Sequence, residues 1–71
     1  MEKRELTTSS QILQEALKRE NEARDFYADL AIRCRVDFVK ELLERLKDEE
    51  SKHARLVQDM IIRLDRGVDI V

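Results

Sequence analysis

Apolar residues recur along this chain at alternating intervals of three and four, over two long stretches separated by a short irregularity. The first stretch runs through Leu13, Ala16, Glu20, Ala23, Tyr27, Leu30 and Cys34. The second runs through Val39, Leu43, Leu46, Glu50, His53, Val57, Met60 and Leu64. Such spacing, kept for about four heptads, marks the seam of a helical bundle or coiled coil. A second line of Ile12, Leu17, Phe26, Ala31, Leu42, Ala54, Leu56 and Ile61 widens the apolar face beyond what one partner helix would cover. That width suits a four-helix bundle better than an isolated pair.

Local signals set the ends of the two helices. Thr8 to Gln11 fits a capping box, with Thr8 capping free amides and Gln11 reaching back. Nothing breaks a helix until Cys34-Arg35-Val36-Asp37, where β-branching and an Asp with N-cap potential predict a tight turn. Gly67 is well suited to follow the last helical turn. The pattern therefore predicts one domain over 1–71: a helix over about 8–34, a turn over about 35–37 and a helix over about 38–66. Residues 1–7 read as a polar lead-in. Each helix would be roughly 40 Å long at 1.5 Å per residue, and a short connection makes the two antiparallel neighbours.

Composition sharpens this into an all-α expectation. The 71 residues include no proline and one glycine, with 42% charged and 42% hydrophobic residues, a balance that favours long helices over strands. A chain this short buries only about 60% of its unfolded surface, so a partner subunit or a metal is expected to support it. One cysteine excludes an internal disulfide framework and a multi-cysteine zinc site. The net charge of −2, with acidic and basic residues interspersed, argues against nucleic acid and against an anionic membrane surface. No apolar run reaches the roughly 20 residues of a membrane span, and Met1-Glu2-Lys3-Arg4 lacks an apolar signal core. The expected location is cytoplasmic.

Twelve of the fifteen seam positions are apolar or Tyr; Glu20, Glu50 and His53 are the exceptions. With the turn near residue 36, antiparallel folding sets residue 20 level with about residue 52, between Glu50 and His53, which lie one turn apart. Three side chains with metal-ligand chemistry thus converge on one layer. Burying a lone carboxylate or imidazole costs several kcal/mol unless it is paired or ligated. Oxygen and imidazole donors suit iron or manganese, and zinc also accepts the set. One hairpin supplies two Glu and one His; two hairpins about a two-fold axis supply four Glu and two His. That is the recipe for a di-iron carboxylate bundle, with Glu from two helices and Glu-x-x-His from the other two. A homodimer is the expected assembly on both counts, core and ligands.

The motifs themselves resemble a known family. Glu20-Asn21-Glu22-Ala23-Arg24-Asp25-Phe26-Tyr27 resembles the E-x-x-A/G-x-x-F-Y stretch of rubrerythrin-type ferritin-like proteins. Leu46-Lys47-Asp48-Glu49-Glu50-Ser51-Lys52-His53 resembles their L-x-x-E-E-x-x-H stretch. The resemblance covers roughly residues 13–60. Full-length members carry two such hairpins, so one hairpin looks most like the half-size encapsulated ferritins, which form rings inside a protein shell. It implies Glu20, Glu50 and His53 as ligands of an iron pair shared between subunits, and Tyr27 as a hydrogen-bond donor to a ligand carboxylate. It also implies ferroxidase activity, oxidation of Fe(II) by dioxygen or peroxide for storage or detoxification, and a location inside a nanocompartment. Glu22 and Glu49 would then be iron-attracting residues at the site's edge.

Three alternatives stand beside this reading. The first is rubrerythrin-like peroxide reduction; with no CxxC pair in the chain, it would need an external electron donor. The others are a metal-stabilised module without turnover and a metal-free helical assembly, in which the polar layer only fixes register. Cys34 reads as a small core residue beside the turn.

Overall fold

The computed structural model describes residues 8–67. Two helices make up the fold, α1 over Ser9–Arg33 and α2 over Asp37–Asp65. A three-residue connection, Cys34 to Val36, joins them. So short a connection folds α2 back antiparallel along α1, bringing Glu20 to His53. The fold is an all-α hairpin, and no helix among the described residues is long and apolar enough to cross a membrane.

The start of α1 follows its sequence. The Thr8 hydroxyl accepts from the Gln11 amide at 3.1 Å and the Gln11 side chain accepts from the Thr8 amide at 3.2 Å, closing the capping box. The turn is set differently from the expectation. Val36, not Asp37, occupies the cap position of α2, and it makes no side-chain cap bond. Asp37 is instead the first helical residue, where its charge complements the positive end of the helix dipole. The Cys34 thiol donates to the Val36 carbonyl at 3.6 Å, tying the connection to itself. At the far end, Gly67 takes φ 71 and its amide donates to the Leu64 carbonyl at 2.9 Å. That left-handed conformation is one glycine adopts without a Cβ penalty.

The contact between the helices is narrow. Among the described residues only Ala31, Ala54 and Ile61 are buried apolar side chains. Two of the three are alanines, whose small side chains let backbones approach. Large apolar side chains remain open: Ile12, Phe26, Leu42, Leu56 and Met60 are between 42% and 67% exposed. All three buried residues come from the flanking line of apolar positions rather than from the 3-4 seam, while Ile12, Phe26, Leu42 and Leu56 of that line, and Met60 of the seam, are left uncovered because two helices present only one mutual contact.

Candidate metal centre

The middle of the hairpin carries the polar layer. Glu20 comes from the fourth turn of α1, while Glu50 and His53 come from adjacent turns of α2. The 3.6-residue period places the latter pair on one face. The His53 Nδ1 lies 3.5 Å from the Glu20 Oε1 and 3.5 Å from the Glu50 Oε1. One donor atom from each of the three residues falls within 4.8 Å of the others, and no other group of three such residues gathers among the described residues. All three convergent positions come from the seam exceptions.

Their exposure differs from a sealed core. The side chains of Glu20 and Glu50 are 28% and 22% exposed, and that of His53 is 51% exposed. The sequence pattern sets them between apolar positions on each helix; a single pair of helices, however, can enclose such a layer only from one side. The donors therefore line the open face of the hairpin, with the imidazole outermost.

The donor set fits a metal ion. Two donors about 2.1 Å from one ion can be at most about 4.2 Å apart, so the two 3.5 Å separations already suit shared coordination. Closing the widest spacing, within 4.8 Å, needs a side-chain shift of under about 1 Å by the same arithmetic. Carboxylate oxygen with imidazole nitrogen suits iron, manganese or zinc.

The two carboxyl groups also act on each other. Glu20 titrates above its ordinary value of 4.5, first because it shares a hydrogen bond with Glu50. Partial burial and the negative charge of Glu50 push the same way, while His53 opposes them. A raised carboxyl pKa means that the folded chain holds the Glu20 proton more tightly than the unfolded one. This stabilising contribution is complete below 4.5 and is lost as pH rises through the raised value. Carboxyl NMR of the metal-free chain should show Glu20 titrating above the ordinary glutamate range, with Glu50→Gln moving it back. A Glu20 midpoint at or below 4.5 would contradict the interaction between the two carboxyls.

The remaining candidates sit around this cluster. Tyr27 is half-buried and meets Phe26 edge-on, with ring centroids 5.4 Å apart at 63°. Among the described contacts its hydroxyl makes no hydrogen bond to the three donors. Glu22 is exposed, outside the donor group. Glu49 is exposed and lies 3.9 Å from Lys52, an i,i+3 ion pair that solvent screens. Arg19, which precedes Glu20, is held 3.4 Å from Glu15 on its own helix.

A helical hairpin with two carboxylates and an imidazole gathered at mid-height carries half of the donor set of a ferritin-like carboxylate bundle. A family model described as Rubrerythrin matches residues 11–71. The chain belongs to the rubrerythrin family, within the ferritin-like superfamily. No curated protein and no solved structure was found to match it. The family typically binds iron, and the Glu20, Glu50 and His53 group could hold it.

Proposed function

We propose that this protein oxidises Fe(II) at a di-iron centre, for iron storage or detoxification, with Glu20, Glu50 and His53 as its half of the ligands. The observation that carries the reading is the convergence of those three donors within 4.8 Å at mid-height of the hairpin. A second hairpin would complete the centre, giving four carboxylates and two imidazoles for two metal ions. When bound, the iron pair supplies the one-electron steps to the oxidant.

The chain's own residues supply binding, charge and access. Glu20 and Glu50 bring two negative charges, which favour the more highly charged Fe(III) product over Fe(II). Metal and protons compete for the same carboxylate oxygens, so loading weakens on acidification. His53, the most exposed of the three, stands where arriving ions first meet the cluster. Glu22 and Glu49, exposed nearby, raise the local cation concentration. The resemblance to half-size encapsulated ferritins supports a ring-like assembly housed in a protein shell.

The family match is equally compatible with a second reading, reduction of peroxide with electrons from an external donor protein. Stopped-flow mixing of Fe(II)-loaded protein separates the two. Oxidation by dioxygen well above the rate of free Fe(II) is the expected result. Oxidation by peroxide alone, with dioxygen inert, would replace the first reading by the second. Failure with both oxidants would leave neither.

A further inference from the structure

We propose that a single hairpin of this chain holds one divalent cation by itself, without a second copy, using Glu20, Glu50 and His53 as the three ligands of a mononuclear site. The inference rests on the metal-site reading above and adds how many chains the first ion needs.

The number of donors allows it. Mononuclear catalytic zinc and non-haem iron sites are built on three protein ligands, with the remaining positions open. One hairpin supplies that number from its own two helices. The three donor atoms lie within 4.8 Å of one another in one chain. His53 Nδ1 stands 3.5 Å from an oxygen of each carboxylate. An ion among them takes a ligand from α1 and two from α2, with no help from another subunit.

What holds the donors in place is also internal to the chain. Buried contacts bracket the layer along the hairpin, with Ala31 toward the turn and Ala54 and Ile61 toward the opposite end. Ala54 is the residue next to His53 and is 8% exposed, so α2 is closed on α1 at that height. The helix separation at the donors is thus set by contacts that one hairpin makes. Ligands held ready in this way lose little freedom on binding.

Charge supplies the attraction. Among the described residues no lysine or arginine pairs with Glu20 or Glu50, and each has only the His53 imidazole within ion-pair distance. Two neighbouring carboxylates repel each other, and a divalent cation between them replaces that repulsion with two attractions. Access completes the case. All three side chains are partly open on one face, so an ion enters from solution and leaves by the same route. The lone hairpin is therefore an exchangeable carrier of one ion.

Co(II) is the probe, because its visible absorption reports coordination directly. The full chain is titrated at protein concentrations spread over roughly 100-fold, since only a site shared between chains weakens on dilution. The same samples are sedimented. Saturation at one Co(II) per chain is expected, with the free Co(II) at half-saturation moving by less than about twofold across the series. The loaded species should sediment as a monomer at the lowest concentration. Glu20→Gln, Glu50→Gln and His53→Gln should each weaken binding by at least about tenfold, and Asp59→Asn, outside the donor group, should leave it unchanged. Binding that weakens with dilution, saturation at one Co(II) for two chains, or a loaded species found only at dimer mass would overturn the inference while leaving the metal site standing. Unchanged binding by His53→Gln, or no Co(II) bound at all, would overturn the inference and the metal-site reading together.

Discussion

Replacing Glu50 or His53 with alanine is expected to abolish iron-dependent dioxygen consumption and to weaken iron binding by at least about 100-fold. Substitutions that only touch a ligand's outer partners already cost 10–100-fold, and these two residues are donors themselves. Glu50 lies 3.5 Å from His53 and is the main cause of the raised Glu20 titration. Its loss removes one of two carboxylates and lowers the titration of Glu20. His53 supplies the single nitrogen, and nothing replaces it, since the chain has one histidine. Neither residue is buried in the single hairpin, so the folded chain should survive both changes. Asp59→Ala, exposed and outside the donor group, serves as the control and should leave kinetics unchanged. Iron oxidation by Glu50→Ala at the unmodified rate would remove the proposed chemistry.

The largest effect on stability is expected at Ile61. It is 8% exposed and is the one large side chain in the buried contact between α1 and α2. Ile61→Ala should cost about 2–4 kcal/mol, the usual range for truncating a buried aliphatic residue. A chain of this length has a total stability on the order of 4–10 kcal/mol, so the variant should lose a large share of its folded population. The neighbouring Ile62 is 44% exposed on the other flank, and Ile62→Ala should cost less than about 0.5 kcal/mol. Urea titrations of the two variants, sharing one composition change at adjacent positions, isolate burial from residue type. Equal midpoints would show that the narrow seam is not what holds the hairpin.

The parts of the fold set by local chemistry were legible in the residues. The Thr8–Gln11 box, the unbroken 3-4 spacing and Gly67 each act over a few positions, so the sequence states them directly. The turn was less legible. Asp37 has good cap chemistry, yet the connection closes through Cys34 and Val36, and Asp37 is drawn into the helix beside the dipole. Two local preferences of similar size competed there, and residue type alone does not rank them. The convergence of Glu20 with Glu50 and His53 needed only the seam and the turn position, and the observed 3.5 Å separations show it. The exposure of His53 was not legible, because it depends on what covers the face rather than on the helix that carries it. Tyr27 shows the same limit: its spacing places it on the seam, but its recorded partner is the neighbouring Phe26 ring.

The central claim is that iron sits among Glu20, Glu50 and His53. An anomalous difference map collected at the iron absorption edge, from crystals of the iron-loaded protein, tests it directly. Two peaks are expected for each pair of chains, each flanked by these three side chains. A map featureless there, with iron elsewhere or absent, would contradict it.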